Sequence, residues 1–448
     1  MPKSKKQHLA HLLTEYGMIL VLILLGIFFS LVTLTEQRPS GKKAGLQIAS
    51  IVKKRFDKDA HILITSRNLA IDKNFSDALS GSLTSAGFKH LHSVQGTPRD
   101  ARAKLIELEN QKIKLQVILG NQTTVDWLVF EDIKLNFPQL GSPKRIGPSP
   151  YKWPNFLKKD NLLNITNQIA VIAIIAVGMT VVIICGGIDL SVGSLIAFSA
   201  VLCCLFIQNT AGGLDANAGG MILACIAAII ITGLVGSFTG SMITTFSIPP
   251  FIVTLGVMMM ASGTAYLMSG GESVYRVPDS FVWLGREASL FGIPNAVFLM
   301  MLLYSLAHIM MSRTQLGRYI YAVGGNAEAA RLSGVPVKWI QLFAYTLSGL
   351  LAGLGGVVMA SQLKSGAPTY GQMYELYVIA AVVVGGTSLS GGEGKIFGTL
   401  IGAFIIAVIQ NGMNLMNIES YTQKVILGMV ILIAVLLDKL KQKKFQTS

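Results

Sequence analysis

Between residues 162 and 437 the chain keeps returning to apolar, almost uncharged runs of roughly twenty residues, the length a helix needs to cross a bilayer. In lipid only helices and closed barrels satisfy their own backbone groups, so runs of this kind leave few folds open. Spans are expected near 162–184, 191–208, 218–241, 250–269, 296–312, 339–361, 374–388, 396–413 and 421–437. A further run, YGMILVLILLGIFFSLVTLT at 16–35, is too long for the apolar core of a signal peptide and lacks a small-x-small cleavage site, so it reads as a retained anchor. That makes about ten spans and places both termini on one side.

Composition and charge agree. The chain is 52% hydrophobic and 13% charged, with mean hydropathy +0.57, against roughly 25% charge in soluble domains. A formal charge of +14 would suggest nucleic acid, but the basic residues form no stripe. They cluster beside spans: Lys3, Lys5 and Lys6; Arg313, Arg318, Arg331 and Lys338; and Lys439, Lys441, Lys443 and Lys444. This is the positive-inside bias of membrane topology. It puts both termini and the 313–338 loop in the cytoplasm, and residues 37–155 outside. No nucleic-acid partner is expected. Cys185, Cys203, Cys204 and Cys225 lie in apolar stretches without CxxC spacing and read as small buried hydrophobes. His90 and His92 share a strand face, a weak metal signal, and read as surface histidines.

The expected organisation is a cytoplasmic N-terminus and first span (1–36), a soluble segment (37–155), a core of about nine spans (156–438) and a basic tail (439–448). In the soluble segment HILITSR (61–67), KHLHSVQG and LQVILGN read as strands. They alternate with a helix bearing Phe75, Leu79 and Leu83 and a second helix that Thr97 opens, with Pro98 at its first position. Strands alternating with helices predict a small α/β unit with a parallel sheet. GSPKRIGPSPYKWP reads as a Pro/Gly-rich linker back to the membrane. The fold class is thus an all-α polytopic membrane protein with a small α/β domain inserted after its first span.

Two apolar segments are interrupted. GGIDLSVGSLIA (186–197) is echoed by GGTSLSGGEGKIFGTLIGA (385–403), each following one apolar run and preceding another. Broken backbone at membrane depth survives only where protein or a water-filled cavity surrounds it, and paired breaks suggest a duplicated transport architecture. Asp189 is either a charge lining a pathway or the cap of a helix beginning near Ser191. Thr387, Ser388, Ser390, Gln410, Asn411 and Asn414 supply hydrogen-bonding groups without strong traps, as passage of a neutral solute requires. Asn411 and Asn414 fall on one helical side and serve equally well as contacts between helices. LSGGE and GGEGK (389–395) are decoys: a phosphate loop needs GxxxxGK followed by Ser or Thr, whereas Leu389 holds the first glycine position and Ile396 follows the lysine. No nucleotide, cofactor or metal is expected on this chain.

Three long stretches carry a family resemblance: GMTVVIICGGIDLSVGS (178–194), LGRYIYAVGGNAEAARLSGVPV (316–337) and AAVVVGGTSLSGGEGKIFGTLIGA (380–403). They resemble the permease subunits of bacterial sugar ABC importers, the ribose permeases above all, over residues 162–438 and the anchor. The segment 37–155 departs from that pattern. The resemblance implies a homodimeric or heterodimeric permease in the inner membrane, the homodimer being the first expectation, through which a small sugar passes. It also implies a cytoplasmic ATPase pair that uses the ATP, and a periplasmic binding protein that delivers the sugar. It places the ATPase-docking loop on Gly324, Gly325, Asn326, Glu328, Ala329, Ala330, Arg331, Leu332 and Gly334. The residues fit this. Asn326 can cap a short helix carrying Glu328 and Arg331, small residues let it seat in a cleft, and Gly334 and Pro336 end it. An ordinary basic loop helix would explain the charges alone.

VQGTPRDARAKL and VILGNQTTVDW resemble one lobe of the periplasmic sugar-binding superfamily. One lobe cannot clamp a sugar, so the segment is expected to dock or recruit a partner; an insertion that merely folds is the alternative. A secondary transporter or channel would need no docking loop. An enzyme would need a constellation such as HExxH or GxSxG, and neither occurs. Among cargoes, other sugars and furanone signals stand beside ribose.

Overall fold

Every long apolar run becomes a helix, because only intrahelical bonds satisfy a backbone that lipid cannot. The computed structural model describes the backbone of residues 5–446. The flanking Lys3, Lys5, Lys6, Lys439, Lys441, Lys443 and Lys444 lie outside the residues whose side chains are described. The chain divides into two compact units: residues 34–154, and residues 1–33 with 155–448.

Helix α1 (Lys5–Val32) leads to the smaller unit. There the order is β1 (Leu34–Gln37), α2 (Gly41–Arg55), β2 (Ile62–Ser66), α3 (Ala70–Thr84), β3 (Leu91–Gln95), α4 (Pro98–Asn110), β4 (Val117–Gly120), α5 (Ile133–Asn136), β5 (Lys144–Ile146) and β6 (Tyr151–Pro154). Strands β3, β2, β4 and β5 form a parallel sheet in that order. Ile62, Ile64, Val117 and Leu119 pack against α2 and α3. Leu63 and Ile118 pack on the other face against α4 and against Phe130, Ile133 and Phe137. A sheet buried on both faces explains why ILITS is almost continuously apolar instead of alternating. Thr97 caps α4, with Asp100 Oδ2 accepting from its N–H at 2.7 Å.

Two expectations need correction here. The anchor does not reach residue 35: α1 ends at Val32, and Leu34 and Thr35 belong to β1, which pairs antiparallel with β6. Residues 141–154 are not a bare linker either, since they contribute β5 to the sheet and β6 to that ribbon. Both strands are short and charged, so neither shows the alternation that announces a strand.

His90 is exposed, as expected of a surface histidine, whereas His92 is half-buried, and His61 lies against both. His61 Nδ1 lies 3.2 Å from His92 Nε2, and the His61 ring stacks on His90 with centroids 4.3 Å apart. Burial first, then the neighbouring His90, lowers the pKa of His61 from its ordinary 6.5. Burial first, then His61, does the same for His92. The folded form therefore holds fewer protons than the unfolded chain just below pH 6.5, and stability falls as pH drops through that range. Amides of β2 and β3 are expected to lose hydrogen-exchange protection severalfold between pH 7.5 and 5.5, after correction for intrinsic rates. A His61→Gln, His92→Gln double variant should remove the dependence; equal protection at both pH values would refute the coupling.

Besides α1, the helices of the larger unit are α6 (Lys159–Ile184), α7 (Val192–Thr210), α8 (Ala218–Phe246), α9 (Pro250–Ser269), α10 (Asn295–Arg313), α11 (Gln315–Gly325), α12 (Ala327–Leu332), α13 (Val337–Leu363), α14 (Tyr374–Val384), α15 (Ile396–Leu415) and α16 (Ser420–Gln446). Among the described residues seven are long and apolar enough to cross a membrane: α6 to α10, α13 and α15. Shorter apolar stretches occupy 17–32, 374–384 and 420–433. Helix α14 corrects the expected span at 374–388. Its 11 residues reach only about 16 Å at 1.5 Å per residue, half a bilayer.

Helix α6 is the buried axis, and α13 packs along α6, α7 and α8. Gly236 of α8 faces Gly349 of α13 so closely that a Cβ on Gly236 would sit 3.1 Å from the Gly349 Cα. Small residues at such crossings let helices associate in lipid, where apolar burial alone drives nothing.

Candidate functional site

The two interruptions end their helices in the same way. After α6, the N–H of Gly186 bonds to Ile183 O at 2.9 Å and that of Gly187 to Val182 O at 3.0 Å. After α14, Gly386 N–H bonds to Val383 O at 2.9 Å and Thr387 N–H to Val382 O at 3.1 Å. These are paired Schellman closures, with Gly186 (φ +82°) and Gly386 (φ +88°) in the left-handed position that glycine fills without strain. The structural correspondence is therefore Gly186 with Gly386, one residue off the match of Gly-Gly to Gly-Gly in the sequence.

Asp189 lies in the first break with 1% of its surface exposed. Its Oδ1 accepts from Ser191 N–H at 3.0 Å and Ser191 Oγ at 2.6 Å, and its Oδ2 from Ser348 Oγ of α13 at 2.7 Å. The N-cap position of α7 belongs to Ser191, whose side chain makes no capping bond. Asp189 thus clasps the break to the middle of α13. Beside it, Gly187 packs on the Tyr345 hydroxyl, for which no hydrogen-bond partner exists among the described residues.

The second break folds on itself. Ser388 N–H bonds to Glu393 O at 3.1 Å, Gly391 N–H to Ser388 O at 3.2 Å, and Ser390 N–H to Ser388 Oγ at 3.2 Å. Thr387 is buried, as is Ser388, while Ser390 is exposed. The asparagines separate. Asn411 exchanges amide bonds of 2.9 and 3.0 Å with Asn161 of α6, whereas exposed Asn414 accepts from Gln423 of α16 at 2.8 Å. Gln410 is half-buried. One helical side thus serves two different neighbours.

Both breaks meet the 313–338 loop. Gly392 N–H donates to Ile184 O at 2.9 Å, joining break to break. Gly324, near the end of α11, is wedged there: an added Cβ would overlap Ile184 O and lie 2.6 Å from Gly392 N. Tyr321, also on α11, donates its hydroxyl to Gly394 O at 2.8 Å. From this junction the chain turns out into α12. Asn326 Oδ1 accepts from Ala329 N–H at 2.9 Å, capping α12, and Gly334 (φ +84°) follows it. Glu328 and Arg331 form an exposed ion pair at 2.5 Å, and Arg331 holds the Glu328 carboxyl below its ordinary range. Ala329, Arg331 and Leu332 are exposed, Leu332 by 76%, whereas Ala330 and Val323 are buried and anchor the loop. Gly325, beside the wedge, faces open space.

A cavity of about 450 Å³ lies against the start of α7, bordered by Ser194, Met258, Met259, Tyr370, Gln372 and Glu375. None of the hydrogen-bonding residues singled out from the sequence borders it. Glu375 passed unnoticed because it opens an apolar run and looks like a boundary residue. The signal available was a lone carboxylate inside that run.

Residues 161–435 match the family described as branched-chain amino acid transport system / permease component. The ribose import permease protein RbsC of Escherichia coli is 43% identical over 293 residues, covering 64% of this chain and 88% of the relative. RbsC of Bacillus subtilis is 43% identical over 290 residues, covering 64% and 87%. The D-allose transport system permease protein AlsC of Escherichia coli is 36% identical over 288 residues, covering 64% and 86%. No solved structure matches the chain.

Proposed function

Because this chain belongs to the family of branched-chain amino acid transport system / permease components, we propose that it is the membrane-spanning subunit of a sugar ABC importer whose cargo is ribose. The carrying observation is the junction of Ile184, Gly324 and Gly392, which ties an exposed loop to both broken helices. A motor pressing on α12 would move both breaks at once. The choice of ribose rests on the two ribose import permeases, each 43% identical over almost its whole length; the allose permease is more distant at 36%.

In this reading the chain is a multi-pass protein of the inner membrane. It works as a homodimer with a cytoplasmic ATPase pair, which binds and hydrolyses the ATP, and a periplasmic binding protein. The junction end of the bundle is cytoplasmic, since Arg313, Arg318, Arg331 and Lys338 flank it. Residues 34–154 then lie outside. The breaks, with Asp189, Ser191, Thr387, Ser388 and Ser390, act as the gate, and the cavity beside Glu375 lies on the sugar's path. Asn411 is a helix contact. The test is uptake of radiolabelled D-ribose by proteoliposomes that contain permease, ATPase and binding protein. ATP-dependent uptake competed poorly by D-allose is expected, and uptake without ATPase would instead make the chain a secondary carrier.

Arginine is enriched where partners bind, and exposed Arg331 stands beside exposed Leu332 on α12. Leu332→Asp should leave folding intact, because the side chain touches little, yet abolish co-purification of the ATPase. ATP-driven uptake should fall at least about tenfold, equivalent to ~1.4 kcal/mol of lost docking. Unchanged co-purification would exclude α12 from the contact.

A further inference from the structure

The chain enters and leaves the 34–154 unit side by side. Asn155 N–H donates to Thr33 O at 2.9 Å and Phe156 N–H to Thr33 Oγ1 at 3.1 Å, while Thr33 Oγ1 donates to Phe29 O of α1 at 2.6 Å. The ribbon of β1 and β6 starts on the next residues, with Leu34 opposite Pro154, Thr35 opposite Trp153, Glu36 opposite Lys152 and Gln37 opposite Tyr151. It stands apart from the four-stranded sheet, and none of its side chains joins the hydrophobic clusters on either side of that sheet. Leu34, Trp153 and Tyr151 are 45, 46 and 49% exposed. A two-stranded ribbon with neither face buried is marginal in water, so this one needs a surface to lie against.

The surface within reach is the bilayer. Val32 ends an apolar helix, and at about 3.3 Å per residue the Thr35–Trp153 pair lies within about 10 Å of it along the chain. Headgroups extend a bilayer by roughly 5–8 Å beyond its hydrocarbon core on each side, so the ribbon starts in that layer. Side chains alternate along a strand, which sets Tyr151 and Trp153 together on one face. Tyr and Trp are the side chains that concentrate at membrane–water interfaces, because each joins an apolar ring to a polar tip. Lys152 lies between them on the other face, and Lys42 and Lys43 stand in the first turn of α2. All three lysines are exposed and in no ion pair among the described residues. Cations in a first turn oppose the helix dipole, so α2 itself does not account for Lys42 and Lys43. Topology does not account for them either, since a segment of this length escapes the positive-inside bias. Anionic headgroups attract lysines held at this level.

We propose that the β1–β6 ribbon seats Trp153 and Tyr151 in the headgroup layer, with Lys42, Lys43 and Lys152 on anionic phospholipid, and so moors the 34–154 unit to the membrane surface. The inference does not rest on the transport reading, since it holds whatever the chain carries. The test uses the full chain in nanodiscs of phosphatidylcholine, with or without phosphatidylglycerol. Trp127→Phe, Trp283→Phe and Trp339→Phe together leave Trp153 as the sole tryptophan. Lipid brominated on its upper acyl carbons should remove about half of the Trp153 emission in the anionic discs, as befits an indole at the headgroup boundary, and clearly less in the neutral ones. Hydrogen exchange reads the same coupling in the unmodified chain, whose fold no substitution has disturbed. Its β1 and β6 amides should exchange at least about fivefold faster without phosphatidylglycerol, the effect of one lysine at an anionic surface. Trp153 emission that brominated lipid leaves unchanged would overturn the proposal, and acrylamide would then show whether the indole stands in water or beneath another protein. Quenching and exchange that ignore phosphatidylglycerol would overturn it equally.

Discussion

Gly324→Ala is expected to abolish ATP-driven uptake, while Gly325→Ala, one residue along the same helix, should leave it intact. The two glycines differ only in what a methyl group would meet. At Gly324 a Cβ overlaps Ile184 O and crowds Gly392 N, both of them backbone atoms, so no side chain can rotate out of the way. At Gly325 nothing lies within 4 Å. Overpacking a tight contact costs about 1–3 kcal/mol, and a backbone neighbour puts this case at the upper end. The strain is relieved only by lifting α11 away from both breaks or by breaking the Gly392–Ile184 hydrogen bond, and either disconnects the loop from the gate. Gly325→Ala replaces a helical glycine with the better helix former and should be neutral or stabilising by up to about 1 kcal/mol. Initial uptake rates in proteoliposomes, with thermal unfolding of each purified variant, make the comparison. A Gly324→Ala rate within twofold of wild type would mean that the junction transmits nothing.

That junction was not legible in the sequence, for a physical reason. Ile184, Gly324 and Gly392 are far apart in the chain and meet through backbone atoms, which carry no side-chain signature; only the glycines hinted at close approach. What one helix settles by itself could be read. The spans followed from run length and charge, and the α4 start from Thr97 and Pro98. The short α12 and its Asn326 cap were readable for the same reason. Helix α14 escaped because an apolar run does not disclose where the backbone turns. Met373 enters it with φ +66° and Gly386 leaves it with φ +88°, so four residues of the expected span are loop. Helix α2 escaped because Lys42, Lys43, Lys53, Lys54 and Arg55 mask the buried Ala44, Ile48 and Val52. The roles of Asn411 and Asn414 could not be divided either, since helical spacing gives a side but not the neighbours on it.

Asp189 separates two kinds of buried carboxylate, and three substitutions tell them apart. A pathway charge acts through its field, so Asp189→Asn would be as damaging as Asp189→Ala. A clasp acts through acceptor geometry. All three of its contacts come from neutral donors, the Ser191 N–H, the Ser191 hydroxyl and the Ser348 hydroxyl. The asparagine oxygen still receives the Ser191 pair, and its NH2 can donate to Ser348 Oγ once that hydroxyl turns. Alanine leaves a backbone N–H that has no freedom to turn elsewhere, and an unmet buried donor costs about 1–3 kcal/mol. The expected order of uptake is wild type, then Asp189→Asn at a third or more, then Asp189→Ala at a tenth or less with a lowered unfolding temperature. Ser348→Ala should cost less than Asp189→Ala, and the double variant should add little to it, because residues sharing one hydrogen bond couple instead of adding. Equal loss in the asparagine and alanine variants, with full additivity to Ser348→Ala, would return Asp189 to the pathway.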